Sequence, residues 1–410
     1  MLKLLKRSGV LVLLALLACS AENSLRLELT VPDAQWLAYH DGLRWRSLPA
    51  ALGQWRLAAP QGHYAVALLC LTEPTAAATL HLWQQTLNEA NALHWRCDNR
   101  PAQGARYRLS GEVRGLAAQT SLLVVAGNAN DRVAAPRESY SLMLTPGRYD
   151  LLAQPLGERE GIPQRLWLRY DLDIRQATVQ PIDLAQAVPL QEQQLMLANV
   201  QAEEQLRAFV NLRSPRGSAL TLGVWEDSEP SRLRYAAVPA EQLGAGHHQA
   251  VVEALAQDAS SPRQQLRRSS YAFRHTEADV LALPAGFAAV RLEHSAFPNI
   301  IWDYPATADD TMGDGVMGER LTSYQLHYRQ DHIRYNVRIS AAWLQAQGLE
   351  PSQARYTLPD WTALPDWQAR WQLQPDMPLA WSLSVVQRQG SSQDARYRMD
   401  EVSVFDITNP

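Results

Sequence analysis

The sequence predicts an all-β protein, built from tandem β-sandwich modules followed by a further β-sandwich domain at the C-terminus. Three observations predict this fold class: short runs that alternate apolar and polar residues, turn residues between those runs, and an internal repeat. The run RLWLRYDLDI (165–174) shows the alternation clearly. Because successive side chains of a strand point to opposite faces of a sheet, such runs are typical of strands buried on one side.

The internal repeat covers most of the first 190 residues. The segments GQWRLAAPQGHYAVALL (53–69) and ESYSLMLTPGRYDLLA (138–153) share an alternating strand, a turn with Pro and Gly, an aromatic residue and a second strand. Four pairs of similar residues lie 84 or 85 positions apart: Trp55 and Tyr140, Tyr64 and Tyr149, Trp83 and Trp167, and Ala92 and Ala177. We therefore predict two tandem modules, over residues 25–99 and 107–188. They resemble the immunoglobulin-like and carboxypeptidase-regulatory-like modules of exported bacterial proteins, which are usually spacers or adhesive units.

The N-terminus has the features of a signal peptide. Basic residues precede a short apolar run, which ends in small residues and is too short to span a bilayer. Its last residues, Leu16-Leu17-Ala18-Cys19, resemble the lipobox of bacterial lipoproteins, in which the cysteine is acylated and becomes the mature N-terminus. The resemblance implies that residues 1–18 are a lipoprotein signal peptide. It also implies that Cys19 is lipidated and that the mature protein has a lipid bilayer as its partner.

Two further points concern this segment. The alternative is an ordinary secretory signal peptide, cleaved near Ala18 or Ala21. Ser20 follows the cysteine where an inner-membrane retention signal has Asp, so a lipid anchor in the outer membrane is favoured. The sequence leaves open whether the protein faces the periplasm or the outside.

The other two cysteines, Cys70 and Cys97, are predicted to form a disulfide. An exported chain enters an oxidising compartment, where a pair of thiols is normally oxidised. Each cysteine ends a strand-like segment, YAVALLC (64–70) or ALHWRC (92–97), which is compatible with a bridge between strands. The alternative is two buried free thiols.

Charge and composition limit the possible partners. The chain has 410 residues, a formal net charge of −4 and no basic cluster, so nucleic acid is not expected as a partner. Thirteen Trp against five Phe is an unusual ratio. Because Trp is common both at sugar-binding surfaces and in β-sandwich cores, the excess is compatible with either role.

Residues 189–270 are predicted to be a β-rich connecting region with a polar loop. Strands are expected over 205–222 and 232–238, and a short helix over 249–257. The segment DASSPRQQLRRSS (258–270) is polar and is expected to be the exposed loop.

Residues 271–410 are predicted to form the C-terminal domain, with half-buried strands at 335–345, 366–374, 380–388 and 396–407. The order of these strands, ending in MDEVSV (399–404), resembles the galactose-binding-like jelly roll of many carbohydrate-binding modules. The resemblance implies a jelly-roll-like fold and a glycan as ligand. It also implies a structural Ca²⁺ ion, with Asp400 as the matching ligand. The loop DYPATADDTMGDG (303–315) could add carboxylates, or it could be a solvated acidic turn.

Trp361 is the predicted ligand-contacting residue of this domain. It lies in LPDWTALPDW (358–367), between prolines, and is therefore expected to be the most exposed tryptophan. The tryptophans at 367, 371 and 381 alternate with polar residues and are expected in the core.

The sequence contains no GxSxG, HExxH or GxxxxGK[ST] motif. The adjacent His247 and His248 lie between glycine and polar residues and are expected to be solvated. Glu226, Asp227 and Glu229 could provide paired carboxylates for glycoside hydrolysis, but they lie in a predicted loop. The chain is therefore predicted to be non-catalytic and to need no cofactor beyond the possible Ca²⁺.

These features predict a non-catalytic, membrane-anchored envelope lipoprotein. It would bind a glycan or protein ligand through its C-terminal β-domain, at the end of the molecule far from the anchor. The alternative is a structural scaffold that docks an envelope protein, and a glycan-acting enzyme is the third hypothesis.

Overall fold

The computed structural model describes residues 25–71, 78–97, 104–134, 138–157, 162–224, 231–257, 262–274, 280–305, 321–390 and 397–409. Regular structure in these residues is almost entirely β-strand, which confirms the predicted all-β fold class. The predicted signal peptide and Cys19 lie outside the described residues.

The first module is a β-sandwich of seven described strands. These are β1 (Arg26–Thr30), β2 (Trp36–His40), β3 (Trp45–Ser47), β4 (Gln54–Ala58), β5 (His63–Leu71), β6 (Ala78–Thr86) and β7 (Ala92–His94). One sheet has the order β4–β1–β7, with β1 antiparallel to β4 and parallel to β7. The other has the order β3–β2–β5–β6. Alternate side chains, such as Leu27, Leu29, Val66 and Leu68, are buried between the two sheets.

The predicted disulfide between Cys70 and Cys97 is present. It joins the end of β5 to the segment that follows β7, and so links the two sheets of the first module. The backbone N–H of Cys97 also donates a hydrogen bond to Asp33 Oδ1 at 2.9 Å. The sequence prediction for this pair is therefore confirmed.

The second module repeats this fold. Its strands are β8 (Tyr107–Arg114), β9 (Ser121–Ala126), β10 (Ala129–Ala134), β11 (Ser139–Leu144), β12 (Gly147–Leu156), β13 (Arg165–Ile174), β14 (Thr178–Val179), β15 (Ile182–Asp183) and β16 (Val188–Pro189). The sheets have the orders β11–β8–β14 and β10–β9–β12–β13–β16. As in the first module, the central strand β8 is antiparallel to β11 and parallel to β14. The sequence repeat therefore corresponds to a repeated strand order.

The region predicted to connect the modules to the C-terminal domain is a third copy of the same fold. Its strands are β17 (Gln191–Ala198), β18 (Gln205–Arg213), β19 (Ala219–Val224), β20 (Arg232–Ala237), β21 (His247–Gln257), β22 (Gln264–Phe273) and β23 (Val280–Ala282). The orders β20–β17–β23 and β19–β18–β21–β22 match those of the first two modules, and β17 is again parallel to β23. The interpretation of residues 189–270 as a connecting region was therefore wrong.

Two physical reasons explain this error. The loop that precedes β21, residues 238–246, is longer than the matching loops at 59–62 and 145–146, so the spacing of the repeat is lost. The helix predicted over 249–257 is instead part of β21, which pairs along its length with β18 and β22. Pairing on both sides outweighs the helical propensity that the Ala, Leu, Glu and Gln residues give this segment.

The C-terminal domain contains β24 (Ala289–Glu293), β25 (Asn299–Asp303), β26 (Leu321–Gln330), β27 (Ile333–Ser340), β28 (Gln353–Thr357), β29 (Leu379–Gln389), β30 (Tyr397–Thr408) and helix α1 (Ala341–Ala346). The strands predicted at 380–388 and 396–407 are confirmed as β29 and β30. The strand predicted at 366–374 was wrong, because this segment forms a 3₁₀ turn at Ala369–Trp371. Pro365 and Pro375 flank it, and Asp366 has a φ of 64°, which is incompatible with a strand.

One sheet connects the C-terminal domain to two of the modules. In the described residues its twelve strands have the order β19–β18–β21–β22–β30–β29–β26–β27–β6–β5–β2–β3. Strand β30 pairs antiparallel with β22, and β27 pairs parallel with β6. The C-terminal domain therefore lies between the third and first modules. The expectation that it lies at the end far from the N-terminus was wrong.

The sheet β24–β25–β28 and the following loop cover one face of the centre of this large sheet. The core between them includes Trp302, Tyr324, Leu326, Val337 and Trp361. It also includes Ala38, Ala65 and Leu82 of the first module, so the core is shared between the two domains.

A buried ion pair fixes the third module to its surroundings. Arg267 on β22 and Glu204 are almost fully buried, and the guanidinium donates hydrogen bonds to both carboxylate oxygens. Further N–H groups of Arg267 donate to the carbonyls of Asn199 and Pro284, at 2.8 and 2.9 Å. A single side chain thus holds the turn after β17 and the segment that leads to the C-terminal domain.

Replacement of Glu204 with Ala leaves the buried guanidinium without its counter-charge. We expect the free energy of unfolding, measured with urea, to fall by about 3–5 kcal/mol. Glu28→Ala is the matched control, because the pair of Glu28 with Arg56 is exposed, and we expect it to change stability by less than about 1 kcal/mol. Equal effects of the two substitutions would contradict a stabilising role for the buried pair.

The parallel pair of β6 and β27 carries a half-buried histidine. His81 on β6 lies opposite Asn336 in the register, and its ring lies 5.6 Å from that of Trp83 and 4.7 Å from that of Trp95. Burial, reinforced by the nearby His327, lowers the pKa of His81 to about 4. The imidazole therefore stays neutral at physiological pH.

This shift predicts an acid-sensitive fold. The pKa of an unfolded histidine is about 6.5, so below that pH the unfolded chain binds a proton that folded His81 does not. Stability therefore falls as the pH falls. We expect His81 to account for a loss of about 2 kcal/mol between pH 6.5 and 4.5. Urea unfolding at both pH values should show a smaller loss in His81→Phe, whereas the exposed control His94→Phe should behave like the parent. An unchanged loss in His81→Phe would refute this assignment.

Candidate functional site

The most site-like cavity described lies between the first module and the C-terminal domain, with a volume of about 340 Å³. The first module contributes His40, Trp45, Ala65 and Gln84, and the C-terminal domain contributes Trp343, Gln347, Leu349, Arg355, Tyr356, Thr357 and Pro359. We call this cavity the interdomain cleft. Its volume lies at the lower end of the range typical of small-molecule sites.

The floor of the cleft is a single cross-strand row. The pairings of β3, β2, β5 and β6 place Trp45 opposite His40, His40 opposite Ala65, and Ala65 opposite Gln84. Paired residues point to the same face of a sheet. Because Ala65 is much smaller than its neighbours in the row, it leaves the space that forms the cleft.

The roof is held in place by helix α1 and strand β28. Ser340 caps α1 by accepting a hydrogen bond from the N–H of Trp343 at 3.0 Å. The same hydroxyl donates to Glu89 Oε2 of the first module at 2.6 Å. The capping residue thus joins the two walls of the cleft and positions Trp343 over it.

Three residues that line the cleft carry buried polar atoms that lack a full hydrogen bond. Trp343 Nε1 is buried and has no hydrogen-bond partner among the described residues. Gln84 Oε1 and the Tyr356 hydroxyl are neighbours, but they do not reach the geometry of a full hydrogen bond. Buried polar groups that lack partners are costly, by about 1–3 kcal/mol each.

His40 presents a defined tautomer to the cleft. Its Nδ1 accepts a hydrogen bond from the N–H of Gly42 at 3.2 Å, so Nε2 carries the proton in the neutral ring. Burial lowers the pKa of His40, an effect opposed by Asp41 and reinforced by His63. At neutral pH the ring is therefore an uncharged donor beside Trp45, with ring centroids 5.2 Å apart.

The hairpin that carries Trp45 is stabilised by Asp41. Its carboxylate accepts the N–H groups of Leu43 and Arg44, each at 3.0 Å, and the guanidinium of Arg46 at 2.5 Å. Burial raises the pKa of Asp41, but these hydrogen bonds and the Arg46 charge lower it overall. The sequence HDG (40–42) therefore forms the turn that its residue types predict.

The structure places Trp361 in the core, so the prediction that it is exposed was wrong. Its side chain is 0% exposed and packs against Trp36, Trp45 and Trp367, with ring centroids 6.1, 5.7 and 5.5 Å apart. The proline-rich segment is not a projecting loop, because it lies on the small residues of the first module. Trp361 therefore supports Trp45 from behind instead of facing a ligand.

Asp400, the predicted Ca²⁺ ligand, is occupied by protein donors. It is buried, accepts a hydrogen bond from Ser269 Oγ at 2.7 Å, and pairs with Arg398 at 3.0 Å. The described residues contain no group of three or more His, Cys, Asp or Glu side chains arranged to hold a metal ion. Asp309, Asp310 and Asp314 of the predicted acidic loop lie outside the described residues.

The remaining candidate residues do not join the cleft. His247 and His248 lie on β21 and not in a loop, and His248 is buried and accepts the N–H of Val238 at 3.0 Å. The carboxylates at 226, 227 and 229, like Cys19, lie outside the described residues. None of the helices in the described segments is long and apolar enough to cross a membrane.

Comparisons with known proteins add little. No family model matches the sequence, and no curated protein matches it. Two weak structural neighbours are the Bacillus anthracis TIE protein and a streptococcal ancillary pilin. The TIE match has 9% identity and a TM-score of 0.16, and covers 58% of this chain and 45% of that chain. The pilin match has 7% identity and a TM-score of 0.15. It covers 63% of this chain and 98% of the pilin chain. This chain thus spans less than half of the TIE protein, and at these TM-scores neither match supports an argument.

The position of Trp361 gives a direct test of the shared core. Trp361→Ala removes a fully buried side chain, and we expect the free energy of unfolding to fall by about 3–5 kcal/mol. Phe405→Ala is the control, since Phe405 is 39% exposed, and its effect should be much smaller. Urea unfolding measures both. A Trp361→Ala protein as stable as the control would show that the tryptophan is not part of the core.

Proposed function

We propose that this protein is a non-catalytic lipoprotein of the bacterial outer membrane that binds a glycan in the interdomain cleft. The observation that supports this function is the composition of the cleft, whose lining combines aromatic rings with residues that carry incompletely satisfied buried polar atoms. One wall belongs to the twelve-stranded sheet, and the other combines helix α1, which follows β27 of that sheet, with β28 of the sheet β24–β25–β28.

The chemistry of the cleft favours a sugar. A sugar ring has an apolar face, which stacks on an aromatic side chain, and hydroxyl groups, which need hydrogen-bond partners. Trp45 is half-buried in the floor beside His40 and Gln84, while Tyr356 and Trp343 belong to the roof. This combination of an apolar surface with a few placed polar groups is typical of specific small-molecule sites.

The charge of the cleft favours a neutral ligand. Arg355 contributes a guanidinium to the lining, and this group pairs with Glu293 at 2.8 Å. The described lining residues include no Asp or Glu, so the cleft lacks the two facing carboxylates of a glycosidase. This composition supports binding without catalysis.

The proposed anchor places the cleft near a membrane. If Cys19 carries the lipid, Leu25, the first described residue, is the sixth residue after it. Six residues span at most about 20 Å. The first module, which forms the floor of the cleft, would therefore lie close to the bilayer, and the ligand would be an envelope polymer.

Isothermal titration of the soluble mature chain, starting at Ser20, against peptidoglycan fragments and envelope polysaccharides tests this function. We expect saturable binding to one glycan. Tyr356→Phe should weaken it by about tenfold because one hydrogen bond is lost. Ala65→Leu should abolish binding because the new side chain fills the cleft.

Ala289→Leu on β24 is the matched control, since Ala289 is exposed and lies outside the lining, and it should bind normally. Because Ala65→Leu could also destabilise the core, Tyr356→Phe provides the independent test. Absence of binding to every glycan would refute the proposal and favour a scaffold that docks an envelope protein. Glycan binding that neither cleft variant reduces would refute the assignment to the cleft.

A further inference from the structure

A second cavity, of about 250 Å³, lies at one end of the third module. Its walls include Gln191 and Gln193 of β17, Tyr235 of β20, His248 of β21, and Phe273 of β22. These five residues come from both sheets of the sandwich. The cavity is therefore the open end of the module, and it is separate from the interdomain cleft.

The pattern of β17 explains why this end stays open. The positions of β17 that face the other sheet are Gln191, Gln193, Leu195 and Leu197, and only the two leucines are buried in the core. The equivalent strand of the first module, β1, has Leu27 and Leu29 on its inward face. Inward positions of a sandwich are normally apolar. The two glutamines therefore replace core residues with hydrogen-bonding groups.

The hydroxyl group of Tyr235 points to a missing ligand. Tyr235 lies opposite Gln193, is fully buried, and its hydroxyl has no hydrogen-bond partner within the described structure. Buried tyrosines of the first and second modules contrast with it: Tyr64 donates to the carbonyl of Ala90 at 2.9 Å, and Tyr140 to that of Gln180 at 2.6 Å. An orphan hydroxyl is unfavourable unless something in the cavity pairs with it.

The walls and the rim define the class of ligand. Phe273 provides an apolar surface, with its ring 5.9 Å from Tyr235 and 5.4 Å from His248. Glu241 and Arg274 both line the cavity, so their charges offset each other there. Apolar rings, amide groups and an unpaired hydroxyl without excess charge suit a neutral ring that carries hydroxyl groups.

We propose that this cavity is a second carbohydrate site, which takes a single neutral sugar residue. The ligand class rests on the proposed function, whereas the existence of the site rests on the cavity and on Tyr235. Strands β2 and β21 are eight strands apart in the large sheet, so at about 4.8 Å per strand the two sites lie about 40 Å apart. One polymer could occupy both, which would strengthen its binding through avidity.

Saturation-transfer NMR with glucose, galactose, mannose and N-acetylglucosamine tests the proposal on the mature chain. We expect Tyr235→Phe to keep the sugar signals that arise from the interdomain cleft. We expect Tyr356→Phe to keep those that arise from the cavity of the third module. The double variant should lose them. Because Tyr235→Phe removes an unsatisfied group, its melting temperature should be unchanged or higher, while its affinity for the polymer should fall at least about tenfold.

The outcomes separate the two proposals. If Tyr356→Phe alone removes all sugar signals, and Tyr235→Phe changes neither these signals nor polymer affinity, the second site is refuted and the proposed function stands. If Tyr235→Phe alone removes all signals, the second site stands and the assignment of the cleft falls. Gln193→Leu, which replaces an inward amide by an apolar group, should reproduce Tyr235→Phe. An unchanged polymer affinity in both of these variants would overturn the second site.

Discussion

The parallel pairing of β6 with β27 is the constraint on which the rest of the structure depends. It joins Ala78 of the first module to Ile333 of the C-terminal domain, over seven consecutive residue pairs. Parallel strands need both faces covered to be stable. One face of this pair is covered by the shared core around Leu82 and Val337. On the other face Trp83 packs into the core of the first module.

This pairing creates the cleft as a consequence of sheet geometry. The row formed by Trp45, His40, Ala65 and Gln84 continues from Gln84 to Ile339 of β27. Helix α1 begins directly after β27 and returns over the row. Helix α1 is attached to the sheet of the floor, and β28 packs on that sheet through the shared core, so the cleft exists before a ligand arrives. A preformed site loses little conformational entropy on binding.

The excess of tryptophan is explained by the interface between domains. Ala38, Ala65 and Ala67 give the first module a face of small side chains, and large rings from the C-terminal domain fill the space above it. Trp361 and Trp367 pack there against Trp36, whose Nε1 donates to the carbonyl of Pro365 at 3.3 Å. Small and large residues complement each other across the contact, as close packing requires.

Sequence patterns predicted the features that are encoded locally. They failed for the features that depend on contacts between distant strands. The alternation of strands, the repeat from Trp55 to Tyr140 and the pairing of Cys70 with Cys97 are encoded in short segments or fixed spacings. The third module was missed because a longer loop before β21 breaks the spacing. Burial of Trp361 could not be predicted, because the alanine face that receives it lies some 300 residues earlier in the chain.

The residues of the cleft were missed for the same reason. Trp45, Gln84 and Tyr356 belong to ordinary strands, which meet only where the first module and the C-terminal domain share a core. One kind of signal was available in the sequence of the third module: Gln191 and Gln193 interrupt the apolar side of β17. Once the strand order assigns those positions to the inside of a sandwich, polar side chains there conflict with packing. Positions at which the sequence pattern conflicts with the fold are candidate functional sites.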